Sequence, residues 1–164
     1  MSVLRNATGW LGRALRSAGW WLVPLLAYGL IAVIATHPLW LHLTSAVPSD
    51  IGDPLLNTWI LAWDVHALTV HPLNLFEANI FFPLLNTLAY SEHLLGSALI
   101  TLPVLLLTGE PVVAYNATFL LSFILGGWGT YLLVRRYTYC GWAAFLAGLA
   151  FAYAPYRLTS FSHL

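Results

Sequence analysis

Four apolar runs and one polar stretch organise the chain. The first run extends over residues 20–43, and three more occupy 93–109, 112–134 and 141–155. A helix needs about 20 predominantly apolar residues to cross a bilayer, so the first and third runs are long enough. The pattern predicts an all-α fold, a polytopic transmembrane bundle of three to four hydrophobic helices.

The run at 93–109 leaves two topologies open. As a helix it would be roughly 26 Å long, against a hydrocarbon core of about 30 Å, and it contains Pro103. If the run returns to the side of the membrane from which it entered, Arg135 and Arg136 lie on the same side as the N-terminal arginines. The positive-inside rule favours this arrangement. Re-entry is therefore mildly favoured, and a fourth crossing stays open.

The N-terminal segment predicts the orientation. Arg5, Arg13 and Arg16 precede the first apolar run. A cleaved signal peptide would have an apolar region of about 7–15 residues, and this run is longer. We therefore expect a cytoplasmic N-terminus at 1–19 and an uncleaved first transmembrane helix at 20–43, in an integral membrane protein.

The polar stretch, 44–91, predicts a long first external loop. It contains four of the six acidic residues of the chain, a fifth follows at Glu92, and it has no lysine or arginine. Loops of this length are usually functional or disordered, and the many aromatic and leucine residues argue against disorder. We expect the loop to lie on the membrane, with the remaining transmembrane helices in 92–164.

Within this loop, "DPLLNTWILAWDVHALTVHP" predicts one interfacial amphipathic helix over 54–70. Asp53 suits the N-cap, and Pro54 suits the first helical position. Apolar residues recur at helical spacing on one face, while Asn57, Asp64 and His71 recur every seven residues on another. The segment is too short and polar to span a bilayer, so we expect it to lie in the interface with Asp64 solvated.

Composition supports the membrane interpretation and excludes other classes. The chain is 60% hydrophobic and 7% charged, far below the roughly 25% charged residues of soluble domains. Its net charge is zero and it has no basic block, so we expect no nucleic-acid partner. The single cysteine, Cys140, excludes an internal disulfide, and the histidines lack the spacing of a zinc site.

Asp50 and Asp53 are the candidate functional residues. They lie three positions apart in a loop without a cation. Two like charges at a low-dielectric boundary repel, which raises one pKa or recruits a divalent metal ion such as Mg²⁺ or Mn²⁺. The alternative, that Asp53 only caps the helix, is equally compatible with the sequence. Glu92 is a weaker candidate, because an acid at the start of an apolar helix is favoured for structural reasons alone.

Several stretches of the chain resemble a known superfamily. They are "GDPLLNTWILAW", "HPLNLFEANIFFP", "LAYSEHLLG" and "AFLAGLAFAYAPYRL". They look like the N-terminal part of GT-C enzymes, polytopic bacterial glycosyltransferases that use polyprenyl-phosphate-linked sugars. The resemblance covers about residues 20–164. Because such enzymes have eight or more spans, it implies that the chain is an N-terminal fragment.

The resemblance also implies roles for the acids. In that superfamily an acidic motif in the first external loop supplies a base for the acceptor or binds a divalent metal. Asp53 matches that position and Asp50 is the second acid, although their spacing departs from the commoner adjacent or one-apart forms; Glu77 or Glu92 could match a further acid. The implied activity is hexosyl or pentosyl transfer from a polyprenyl-phosphate donor to an extracytoplasmic acceptor, at the bacterial plasma membrane.

A different class remains possible on the same residues. The chain could be a non-catalytic membrane scaffold or a transport protein, with Asp50 and Asp53 as helix caps or a cation site. An acid inside a span would favour transport, and the apolar stretches after Glu92 contain none.

Overall fold

The fold is all-helical, as the sequence predicts. A computed structural model describes residues 2–49 and 51–160, with side chains from residue 19 onward. No β-strand occurs among these residues. The helices are α1 (Ser2–Ala35), α2 (Asp53–Val70), α3 (Leu95–Thr108), α4 (Pro111–Thr138), α5 (Gly141–Ala152) and α6 (Pro155–Thr159).

The chain forms two compact units. The first consists of α1 with residues 123–158, and the second consists of Thr36–Ser122 with residues 159–160. The boundary falls within α4, so the beginning of that helix belongs to the second unit and the remainder to the first.

Tyr28 is the centre of the first unit. Its side chain is fully buried, and its hydroxyl donates to the Phe145 carbonyl at 3.0 Å. Its ring lies against Gly127 in α4 and its hydroxyl against Gly148 in α5; an added Cβ at Gly127 would come within 2.9 Å of the ring. The absence of side chains at these two glycines therefore lets α1, α4 and α5 approach closely.

The first helix ends earlier than the first predicted span. It stops at Ala35, and a turn and a short 3₁₀ helix at Leu39–Leu41 follow. Pro38 has no amide hydrogen to donate and disfavours helical backbone at the preceding residue, which accounts for the break. The last part of the 20–43 segment is therefore not continuous α-helix.

The second unit is built on α2, α3 and the beginning of α4. Leu61 and Val65 of α2 pack with Ala98 of α3 and Tyr115 of α4 in one buried cluster. Asn116 of α4 fixes the preceding loop by donating from Nδ2 to the carbonyls of Leu43 and Ala46, at 2.9 and 2.7 Å.

One described helix, α4, is long and apolar enough to cross a membrane. Gly19–Ala35 and Leu95–Thr108 are apolar but shorter. The 14 residues of α3 measure about 21 Å, less than a hydrocarbon core of about 30 Å. Gly109, with φ of 70°, caps α3 in the left-handed conformation that glycine adopts without strain.

Candidate functional site

The candidate site is carried by α2, which the connecting loop holds in place. Ile60 packs with Ala78 and Leu88 of the loop. Trp63 donates from Nε1 to the Leu75 carbonyl at 3.0 Å. The loop that follows α2 therefore folds back along the helix and packs against it, although the sequence analysis predicts a solvent-exposed polar face on this helix.

Asp53 is exposed at the beginning of α2, which starts one residue earlier than predicted. The N-cap is Gly52, whose carbonyl accepts from the amides of Leu55 and Leu56, each at 3.2 Å. Asp53 is the first helical residue and Pro54 the second, so the N-cap prediction for Asp53 is corrected. A carboxylate in the first turn is still favoured by the helix dipole.

Tyr115 of α4 packs with Leu61 and Val65 of α2 in the buried cluster described above. Tyr115 lies in the second turn of α4 and is buried, and its hydroxyl has no hydrogen-bond partner among the described residues. The middle of α2 is therefore packed against the second turn of α4.

Asp50, the second predicted acid, lies outside the described residues. Its distance from Asp53 is therefore not defined, and cooperation between the two carboxylates stays a prediction. Across the described ranges, no group of three or more histidine, cysteine, aspartate or glutamate side chains could hold a metal ion. A divalent ion at Asp50 and Asp53 likewise stays a prediction.

Glu92 is exposed and precedes α3, whose first residue is Leu95. It is not in the first turn of that helix, where an acid would interact best with the dipole. Its neighbour His93 contacts Asp64, three turns and about 16 Å along α2 from Asp53. The Glu92–His93 dipeptide therefore lies beside the middle of α2 rather than beside Asp53. Glu77 is exposed in the loop.

Asp64 is completely buried, so the prediction of a solvated carboxylate is wrong. Its Oδ2 lies 3.6 Å from Nδ1 of His93, and in the described part of the chain neither carboxylate oxygen accepts a hydrogen bond. The His93 ring stands edge-on to Phe76, with centroids 4.8 Å apart. Burial raises the pKa of the Asp64 carboxyl above its ordinary value, and His93 offsets part of that increase.

Asn57 belongs to the same polar face and is also buried. Its Nδ2 lacks a hydrogen-bond partner within the described residues. Most buried polar groups in proteins are paired, so Asn57 and Asp64 mark an unusually polar interior. Apolar residues on both sides of this face, such as Ile60 and Leu61, are the sequence signal that could have indicated its burial.

Compared with known proteins, the chain matches no protein-family model, no curated protein and no solved structure. The functional argument therefore rests on the residues and on their geometry.

Proposed function

We propose that the chain is part of a membrane glycosyltransferase, in which Asp53 is the base that activates the acceptor. The enzyme transfers a sugar from a polyprenyl-phosphate donor to an acceptor outside the cytoplasm. The resemblance described above suggests this activity. The structural observation that supports it most directly is the exposed Asp53 carboxylate at the start of α2, a helix that packs on Tyr115 near one end of α4.

The position of Tyr115 relates Asp53 to the bilayer. The 28 residues of α4 measure about 42 Å, which exceeds a hydrocarbon core of about 30 Å by roughly 6 Å at each end. Tyr115, one turn into the helix, then lies near the lipid–water boundary. Arg135 and Arg136 are at the opposite end, which by the positive-inside rule faces the cytoplasm. In this orientation Asp53 lies on the external side.

A carboxylate at this boundary can serve both substrates. The polyprenyl tail of the donor remains in the bilayer, while the acceptor arrives from water. As the acceptor hydroxyl attacks the anomeric carbon, its proton moves to Asp53. The bond between the anomeric carbon and the phosphate oxygen breaks, and the polyprenyl phosphate departs with the bonding electron pair.

Replacing Asp53 by asparagine in the full-length protein tests the proposal. Because a positioned general base contributes about 100- to 10,000-fold, we expect sugar transfer to fall by roughly 100-fold or more. Glu110→Gln removes an exposed acid just before α4 and is the matched control, expected to retain transfer. Circular dichroism should give the same helical signal for both variants. Wild-type transfer by D53N, in a folded protein, would refute the assignment.

A transport function is the second candidate, and the contact between the buried Asp64 and the solvent-accessible His93 is the observation that favours it. Burial raises the pKa of the Asp64 carboxyl, so this group exchanges its proton at a higher pH than a solvent-exposed aspartate does. Proteoliposomes with an internal pH dye would distinguish the two functions. Proton flux that D64N abolishes and D53N leaves intact would favour transport over sugar transfer.

A further inference from the structure

An apolar groove runs along the first unit. It has a volume of about 490 Å³ and lies between α1 and α5, with Tyr131 of α4 also contributing. Val23 and Ala27 line one side, and Trp142 and Phe145 line the other. Val23 and Trp142 are 66% and 79% exposed, so the groove is open along its length. Its lining provides contacts for a hydrocarbon chain and few for a polar molecule.

A second cavity adjoins one end of this groove. It has a volume of about 380 Å³ and is lined by Arg135 and Arg136 together with Trp20, which also lines the groove. The Arg135 guanidinium also lies against Gly141, another lining residue of the groove. An apolar channel therefore leads directly to two cationic side chains.

Neither arginine is neutralised by an acid in the described part of the chain, where the one salt bridge joins Asp64 and His93. Arg135 donates from Nη1 to the Tyr139 carbonyl at 2.8 Å, which directs its side chain toward the end of α4. A guanidinium has five N–H donors, so this single bond leaves it able to bind an anion. Arg136 is exposed.

We infer that the groove and the arginine cavity together form a binding site for an anionic phospholipid. One acyl chain lies along Val23, Ala27 and Phe145, and the phosphate lies at Arg135 and Arg136. Basic cavities between membrane helices on the cytoplasmic side are typical sites for anionic headgroups. Trp20 lines both parts, and tryptophan is a residue type enriched where side chains meet lipid headgroups. The inference does not depend on Asp53 or on the proposed transfer reaction.

Lipid retention by the purified full-length protein tests the site. The protein is equilibrated with equal amounts of phosphatidylglycerol and phosphatidylcholine in detergent, and bound lipid is counted by native mass spectrometry. We expect a roughly 5- to 30-fold preference for phosphatidylglycerol, because each basic residue near an anionic headgroup contributes about 1 kcal/mol to binding. R135Q/R136Q should abolish the preference. R135K/R136K should keep it, because an ammonium still attracts phosphate as a point charge.

A second pair of variants tests the groove. Val23→Trp fills it from α1, and Leu30→Trp makes the same change at a residue of α1 that is 63% exposed and does not line it. We expect V23W, but not L30W, to lose bound phosphatidylglycerol.

Three results would overturn the inference. The first is equal retention of the two lipids by the wild-type protein. The second is displacement of the lipid by millimolar inorganic phosphate, which would make this a phosphate site. The third is a wild-type dimer that V23W dissociates, which would assign the groove to a second copy of the chain.

Discussion

Nδ1 of His93 lies 3.6 Å from Oδ2 of Asp64, whose carboxyl is fully buried in the second unit. This contact joins the middle of α2 to the segment that precedes α3. Burial favours the neutral carboxyl, so the folded protein retains a proton at Asp64 at pH values where the unfolded chain has released it. The stability of the fold therefore depends on the charge of one interior side chain.

Asp64→Asn should make the protein more stable at neutral and alkaline pH. The stabilising contribution of a carboxyl with a raised pKa is complete below its ordinary pKa of 3.8 and is lost as pH rises through the higher pKa of the folded state. Asparagine does not ionise, so D64N should gain about 1–3 kcal/mol over the wild type near pH 8 and lose that advantage near pH 4. Thermal unfolding in detergent from pH 4 to 8 measures both.

His93→Gln should act in the opposite direction on the same residue. It removes the imidazole that offsets the raised pKa of Asp64, so the folded-state pKa rises further and the loss of stability with rising pH should become larger and extend to higher pH. His71→Gln, at the exposed end of α2, is the matched control. Parallel stability profiles for wild type, D64N and H93Q would contradict the account of the pair.

Asn116→Ala should destabilise the second unit. The substitution removes two bonds, to the carbonyls of Leu43 and Ala46, and replaces a fully buried side chain. We expect a loss of about 2–4 kcal/mol, because both acceptors lose their donor. Asn79→Ala, at an exposed loop position, should change the unfolding free energy by about 0.5 kcal/mol or less. Equal effects of the two substitutions in denaturant titrations would argue against this role for Asn116.

Thr101 and Thr118 should be energetically coupled across α3 and α4. Their Oγ1 atoms are 2.7 Å apart and both residues are buried. Each hydroxyl has one proton, so one threonine donates to the other while the second donates to its own helix, at Ser97 or Ala114. A double-mutant cycle with T101V and T118V should give a coupling of about 1 kcal/mol. Strict additivity would mean that this bond contributes nothing measurable.

Gly148→Ala should destabilise the first unit, whereas Gly129→Ala should not. A Cβ at residue 148 would overlap the Tyr28 hydroxyl and lie 2.5 Å from the Gly127 carbonyl. We expect a loss of about 1–3 kcal/mol, as for other overpacked sites. A Cβ at Gly129 meets nothing within 4 Å, so alanine there should gain up to about 1 kcal/mol of helix propensity. Thermal melts of the two variants should therefore shift in opposite directions.

The positions of the helices were largely predictable because local signals determine them. The sequence predicts a helix at 54–70, and α2 extends over Asp53–Val70. Pro54 near the start of this helix and Pro72 just after its end mark both of its ends in the sequence. The apolar runs at 93–109 and 112–134 likewise became α3 and α4. Their apolar content, however, did not determine helix length, since α3 is only 14 residues long.

The burial of Asp64 could not be predicted in the same way. Its seven-residue spacing from Asn57 is typical of a polar, solvated face. Burial arises because the loop returns along α2, held by the bond from Trp63 to Leu75 and by the packing of Leu88. These contacts link residues that helical periodicity does not relate. Conversely, the position of Asp53 at the beginning of α2 was predicted to within one residue, because proline placement is a local property of the sequence.

The side chain of Tyr28 fills the space that a side chain at Gly127 or Gly148 would need, so substitutions at these three positions are not independent. A natural variant with alanine or serine at position 148 would need a residue smaller than tyrosine at position 28, and the same holds for position 127. In related sequences these three positions should therefore covary, with the tyrosine retained only where both glycines are retained. The tyrosine on α1 and the glycines on α4 and α5 are therefore subject to one common steric constraint.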